Sequence, residues 1–448
     1  MQNKSKNPGQ LGFYSTFEEQ LNHQHPLYIL THKINWSQFE AFRELYNDNM
    51  GRPAKPIRLM VSLLILKHVR NVSDESVVEQ WAENAYYQYF SGEQYFASDE
   101  PCAATELVHF RNRIGAEGIE MIFKESIRVN GKDGEENQAV VDTTVQEKNI
   151  TFPTDDKLYK KIIKKSWAIA QTGELDLRQS YKRVLKKLSL DQRFRNHPRN
   201  KGKARKADKK VKTIAGRLVR ELERKLSPSL LALYARDLML FKKVLGQKKE
   251  DKNKIYSLHE PHVQCISKGK EHKKYEFGSK VSILTTKTSG VIVGALNMEK
   301  NVYDGHTLQP ALQQYERITQ KSLKDVYADR GYRGLNQIGQ TQVHIPKPLP
   351  PETSRYQKSK TSKNFRRRAA IEPRIGHLKQ DYRLCRNFYK GIRGDNNNVM
   401  LAAAAMNFKR MMNIWKRDVR LFFHLFFSWL QFIFGHVIYQ KNDCRFEK

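Results

Sequence analysis

The 448-residue sequence is poor in cysteine and in acid. Its four cysteines, Cys102, Cys265, Cys385 and Cys444, stand far apart, with no Cys-x-x-Cys pair and no histidine at zinc spacing. That excludes a disulfide framework and a structural zinc module, and it fits a reduced cytoplasmic protein. Asp+Glu total 47 against Lys+Arg 80, a formal charge of +33 with a pI near 9.9. A surplus of this size points to a polyanionic partner, and on charge alone DNA, RNA and an anionic membrane all qualify. Met1–Pro8 has no apolar stretch, so no signal peptide is expected. No internal repeat is present. The one long hydrophobic run, 421–439 (LFFHLFFSWLQFIFGHVIY), is about long enough to span a bilayer. It contains His424, Ser428, Gln431 and His436 between basic flanks, so a buried or partner-facing helix is expected there, and no membrane partner.

Three regions follow from the patterning: 1–135, 136–415 and a hydrophobic tail, 416–448. Residues 1–135 read as all-helical. Ile57–Val69 carries apolar residues at helical spacing, and Ser73 or Asp74 can cap a second helix through Trp81. Two short helices across a tight turn are compatible with a helix-turn-helix DNA reader and equally with an ordinary helical hairpin. The aromatic group Trp81, Tyr86, Tyr87, Tyr89, Phe90 and Phe96 reads as core in preference to a base-stacking platform.

After a polar break at Asn130–Asn137, Ala139–Asp142 begins as an apolar strand with the aspartate at its exit, and Asn149–Phe152 suggests a further β-like piece. Residues 158–246 turn helical and basic: Tyr181–Leu226 holds 18 Lys/Arg against four Asp/Glu. Its centre, Arg193–Lys212, is nearly free of apolar residues and suggests a flexible basic link between two amphipathic helices that contacts phosphate. Asp155 and Asp156 are expected in a loop. β-character returns with Tyr275–Asn297, a hairpin turning at Thr288-Ser-Gly290. A helix is expected over Thr307–Thr319, then the short strand Asp325–Asp329, another at Val343–Pro346, and helices bearing Glu372 and Ala402–Met412.

Two aspartates, Asp142 and Asp329, thus end apolar β-like runs, and Glu372 lies on a late helix. In open α/β sheets ligands gather at strand ends, so the three can converge. A few carboxylates suit Mg²⁺, and two such ions can activate a water or 3′-OH and stabilise a leaving oxygen. Arg368, Glu372 and Lys379 fall four and seven residues apart, which stacks them on one helical face. Arginine clamps phosphate bidentately and lysine supplies a point charge; an exposed helix with an i,i+4 ion pair would show the same spacing. Pro373 requires that the helix either begin near Glu372 or kink there. Asp304, in Tyr-Asp-Gly-His-Thr, reads as a turn or helix cap. Gly331 would let the chain turn close to DNA.

Asp142-Thr-Thr, Ala328-Asp329-Arg-Gly-Tyr332 and Arg368-x₃-Glu372-x₆-Lys379 resemble the three signature regions of bacterial insertion-sequence DDE transposases, and most resemble the IS-five-like group among those with a Tyr-Arg-Glu-Lys signature. Ser73–Trp81, Tyr303–Leu308, Ile371–Lys379 and Leu401–Phe408 extend the likeness over about 16–415. At the signature tyrosine this sequence has Phe365, which lacks the hydroxyl. The resemblance implies an RNase H-like mixed-sheet catalytic core holding Asp142, Asp329 and Glu372, interrupted by the basic helical insertion and preceded by an all-α DNA-binding domain. It further implies Mg²⁺ or Mn²⁺, as two ions, and DNA or phosphate contacts from Arg368, Lys379, Arg330, Arg366 and Arg367. Transposon ends and target DNA would be the partners, with a homodimer in the synaptic complex. Cut-and-paste transposition at terminal inverted repeats, in the bacterial cytoplasm on the nucleoid, is the implied function. A non-catalytic or decayed DNA-binding derivative and a metal-dependent nuclease without strand transfer are the alternatives.

Overall fold

The computed structural model describes residues 15–47, 53–248, 250–267, 273–348, 350 and 352–443, with the side chains of 360 and 419–443 left undescribed. Among the described residues up to Glu135 the regular elements are all helical: α1 (Phe17–Gln20), α2 (Pro26–Lys33), a 3₁₀ stretch (Trp36–Leu45), α3 (Ile57–Val69), α4 (Asp74–Glu83), α5 (Ala85–Ser91), α6 (Ala104–Val129) and a second 3₁₀ stretch (Gly131–Glu135). Ser73 caps α4, its hydroxyl accepting from Ser76 N. The hairpin of α3 and α4 does not have a groove reader's charge. α3 is buried on almost every side, and α4 carries Asp74, Glu75, Glu79 and Glu83 with no cation. Asp74 is itself tied down by Arg111 (2.7 and 2.8 Å) and Lys67 (2.9 Å). The ordinary helical hairpin is therefore the reading the structure supports. Of the aromatic group, Trp81, Tyr87 and Phe90 are buried and Tyr86 and Tyr89 half-buried, but Phe96, beyond the end of α5, is 57% exposed and not core.

The sheet starts with β1 (Gln138–Lys148), longer than expected, so Asp142 lies within the strand and not at its exit. Asn149–Phe152 is not a strand; β1 absorbs the pairing before it. Next come α7 (Asp155–Thr172), α8 (Lys182–Asp191), α9 (Pro198–Lys225) and α10 (Pro228–Gly246), then β2 (Gln264–Ser267), β3 (Tyr275–Thr286), β4 (Ile292–Met298) and α11 (Gly305–Thr319). The chain continues through β5 (Asp325–Tyr327), β6 (Gln337–Ile338), β7 (Thr341–His344), α12 (Arg355–Ala369), α13 (Ile371–Asp381), β8 (Arg386–Asn387) and α14 (Gly391–Asp443). The strand order is β2-β3-β1-β5-β7-β6, with β4 also on β3 and β8 also on β1. β1, β3 and β4 are antiparallel neighbours, while β5 runs parallel to both β1 and β7. This mixed sheet is consistent with an RNase H-like core.

Alternation along the strands sorts side chains between two layers. Ala139, Val141, Val326 and Ala328 join a large core shared with α2–α6, α11 and α14. The N-terminal helices and the sheet therefore share one core, and the change near residue 135 is one of secondary structure. The small residues Ala402–Ala405 are buried where α14 packs on α3, α6 and β4. Among the described residues no helix is long and apolar enough to cross a membrane. The run 421–439 continues α14, but its side chains lie outside those described.

α7–α10 build a second core of their own, with Ile162, Val211, Leu218, Leu222 and Phe241 at its centre. α9 replaces the expected flexible link. Pro198 at its first position and the His197 ring accepting from Arg199 N start the helix, and Ala204, Ala207, Val211 and Ile214 bury one stripe. Alanines at helical spacing were the signal hidden among the cations. Asp155 and Asp156 are not in a loop: capped by Thr154, they open α7, where acid complements the helix dipole.

Candidate active site

The face of the sheet turned away from the main core carries a second, small apolar cluster: Val140, Tyr327 and Ile371, with Phe365 and Ile375 packed against it. Each of its three members sits beside an acid. β1 and β5 pair Val140 with Tyr327, so continuing the parallel register two residues sets Asp142 level with Asp329 on the same face. Ile371, fully buried, docks the start of α13 on that face and delivers Glu372, its neighbour. Beyond Val140 this edge of β1 next meets a strand at Glu147–Lys148, which leaves a gap in the sheet beside Asp142 at the end of β5.

The carboxylates are held in similar ways. Asp142 Oδ1 accepts from Thr143 N (2.7 Å), and Asp329 Oδ1 accepts from Gly331 N (2.8 Å). Their Oδ2 atoms face one guanidinium: Arg368 Nη2 is 3.3 Å from Asp142 Oδ2 and 3.8 Å from Asp329 Oδ2. Arg368 Nη1 lies 3.4 Å from Glu372 Oε1. One cation therefore sits among all three predicted acids. Among the described residues no cluster of three or more His, Cys, Asp and Glu is arranged as a ready-made metal site. The donor set nonetheless fits a hard divalent ion, because three carboxylates already converge on a single positive centre. Asp142 and Arg368 are mostly buried, Asp329 is about a third exposed and Glu372 is 63% exposed, so the site opens to solvent on the Glu372 side.

The proline question resolves into a break. α12 ends at Ala369, Ala370 links, and α13 begins at Ile371, which places Glu372 and Pro373 in a first turn where proline costs no hydrogen bond. Arg368 and Glu372 consequently lie on different helices, and they meet across the joint. Lys379 lies two turns on, with its Nζ 4.0 Å from Glu276 Oε1 of β3. Arg366 and Arg367 are exposed on the last turn of α12, with Arg367 Nη1 3.4 Å from Thr288 Oγ1. Arg330, also exposed, follows Asp329 and lines a cavity with Arg333 and Lys347. Phe365 stands edge-on to Tyr327, so the ring at the signature tyrosine position acts in packing.

One neighbour sits at the expected turn before a helix but is bonded differently. Asp304 occupies the cap position of α11 but makes no capping hydrogen bond. Its Oδ1 accepts instead from Thr143 Oγ1 (2.9 Å) and Lys280 Nζ (2.9 Å). A Cβ at Gly331 would lie 2.8 Å from Asp329 Oδ1 and 2.9 Å from Asp304 Oδ2, so this glycine makes room for two carboxylates. Nothing local in Tyr-Asp-Gly-His distinguishes such an aspartate from a cap; the partner lysine is on a distant strand. Below them Tyr332 is fully buried, and burial, with Asp142, Asp304 and Asp329 nearby, pushes its hydroxyl pKa well up, so it stays neutral.

Comparison with known proteins adds to this geometry. Residues 15–113 match a family described as "Transposase domain (DUF772)", and residues 247–408 match the "Transposase DDE domain" family. Asp304, Asp329, Arg368, Glu372 and Lys379 fall within the second match; Asp142 and α7–α10 lie between the two. An uncharacterized protein, ORF8 in the nfe locus of Rhizobium meliloti, is 40% identical over 185 residues, which is 40% of this chain and 89% of that protein. No solved structure matches.

Proposed function

This chain belongs to the insertion-sequence DDE transposases, and on that premise we propose that Asp142, Asp329 and Glu372 form the catalytic acid triad of a metal-dependent DNA transposase of the IS-five-like kind. The observation that carries the reading is the convergence of those three carboxylates on the Arg368 guanidinium. Mg²⁺ or Mn²⁺ ions, two in number, held by the triad would supply Lewis-acid activation of a water or 3′-OH and stabilise the leaving oxygen of a phosphodiester. The backbone bonds to Asp142 Oδ1 and Asp329 Oδ1 keep the two Oδ2 atoms aimed at the reacting centre. Arg368 holds the triad together and turns to a non-bridging oxygen of the scissile phosphate when DNA arrives, a geometry its planar fork suits. Arg330, Arg366 and Arg367 are exposed for the flanking strand. Lys379 would contact DNA further along α13, and Asp304 with Lys280 fixes the Thr143 side of the floor.

The substrates are double-stranded transposon ends at terminal inverted repeats, followed by strand transfer into target DNA, in a homodimeric synaptic complex on the nucleoid. The cationic surface of α9 holds end or flanking DNA. Replacing Glu372 by Gln should abolish divalent-dependent strand cleavage and preserve DNA binding. Cleavage at the wild-type rate in that variant removes Glu372 from the triad. Joining of a cut end to new DNA separates this function from that of a nuclease without strand transfer.

A further inference from the structure

The helix that carries Glu372 has a second charged side. Arg374 lies two residues further along α13, about 200° around the helix axis, and so faces away from the acids. On that side α13, the β3–β4 turn and α14 enclose a cavity of about 780 Å³, lined by Ser289, Gly290, Arg374, Lys409, Arg410 and Arg417 among others. Its cations are unequally satisfied. Arg410 pairs with Asp133 (2.6 Å), and Asp381 is taken up by a hydrogen bond with the His377 ring (2.8 Å). Among the described residues Arg374 and Lys409 form no ion pair, and the buried Nη1 of Arg374 has no hydrogen-bond partner.

Packing explains part of this. The Arg374 guanidinium lies flat on Gly290, so close that a Cβ there would fall 2.0 Å from its Cζ. That contact accounts for where the side chain rests but leaves a buried charged donor unanswered, an expensive condition. Like charges raise the cost. Burial first, then Arg410, lowers the pKa of Arg374, with Glu136 offsetting part of the shift, while burial, Arg70 and Lys416 lower that of Lys409. An anionic oxygen in the cavity would relieve all of these at once.

We propose that the Arg374–Lys409 cavity is a second phosphate-binding site, which grips the DNA backbone a few nucleotides from the phosphate at the acid triad. It rests on the reading of that triad as a phosphodiester site: the two lie on opposite sides of one helix, about 10–12 Å wide, a span of a few phosphates along a strand. α13 is then held by substrate from both sides, so DNA that seats in the cavity also steadies Glu372.

The test is binding of full-length protein to duplex DNA carrying an element end, by fluorescence anisotropy over a salt series with EDTA present. In the Arg374→Gln/Lys409→Gln variant the affinity should fall at least ~10-fold, and the log–log salt slope should shrink by about 2, close to one per lost phosphate contact. Arg374→Lys should keep most of the slope. Should the double variant fail to fold, Lys409→Gln alone, on the surface of α14, should reduce the slope by about 1. Unchanged affinity and slope in a folded variant overturn the proposal, as does equal loss in Arg374→Lys and Arg374→Gln. Inorganic phosphate that stabilises wild type and not the double variant, with DNA binding unaltered in both, identifies a free-anion site and also overturns it. DNA binding lost in the double variant of a protein that shows no divalent-dependent cleavage would sink the triad reading and, with it, the spacing from the triad, and would leave the cavity as a DNA-backbone site alone.

Discussion

Ile371→Ala probes how the third acid is placed. Ile371 is fully buried against Val140 and Tyr327 in a cluster of only three buried residues, separate from both large cores. Truncating a buried isoleucine to alanine costs about 2–5 kcal/mol, depending on how far the surroundings collapse. A thin layer under a helix end can close partly, so about 2–3 kcal/mol is expected here. Leu378, in the main core, still anchors the other end of α13, so the loss falls on docking of the first turn. That amount corresponds to about a 30- to 150-fold shift towards the undocked state, with Glu372 displaced alongside. Urea unfolding should register the lost stability, divalent-ion affinity by calorimetry should weaken, and end cleavage should drop by one to two orders of magnitude. Ile371→Val, at about 0.5–1.5 kcal/mol, should cost roughly tenfold or less. If the alanine variant loses the expected stability and yet binds metal and cleaves as wild type does, apolar docking is not what positions Glu372.

Arg368→Gln removes the cation that competes for the triad; in the absence of DNA it should tighten divalent-ion binding by about tenfold, some 1.4 kcal/mol, and lower the melting temperature of the metal-free protein. Weaker metal binding in this variant would count against competition. His68, fully buried in α3, has its pKa pushed down to about 3, by burial first and then by Lys67. The unfolded chain therefore takes up this proton first as pH falls, so the contribution is intact above about 6.5 and is lost between about 6.5 and 3, at up to ~1.4 kcal/mol per pH unit. His68→Asn should flatten the pH dependence of unfolding in that window, and an unchanged profile would refute the assignment. Charge reversal across residues 193–212 should weaken end binding and its salt dependence; no change in either would remove α9 from the DNA path.

The sequence by itself carried the expectation of a polyanion partner from the charge balance and singled out three acids with a nearby arginine, and it showed the helices before residue 135, the β3–β4 hairpin and the helical insertion. These are legible because charge, local spacing and turn residues are local properties. Helix joints and strand lengths were less legible. Asp142 reads as a strand end because polar residues follow it, whereas pairing with β3 carries the strand on to Lys148. The cations of 193–212 masked an alanine stripe that only the partner helices α7 and α8 reveal as core. Arg368, Glu372 and Lys379 share a face on paper, but the break at Ala370 sends Lys379 to Glu276 and folds Arg368 back over the acids. The convergence itself was decided in three dimensions. A parallel register between strands almost two hundred residues apart sets Asp142 level with Asp329, and one buried isoleucine brings Glu372 to both. Asp304 and Arg374 owe their surroundings to Lys280 and Arg410, so no window of sequence around either could have marked it out. Sequence chooses which groups are charged; packing decides which of them share a charge.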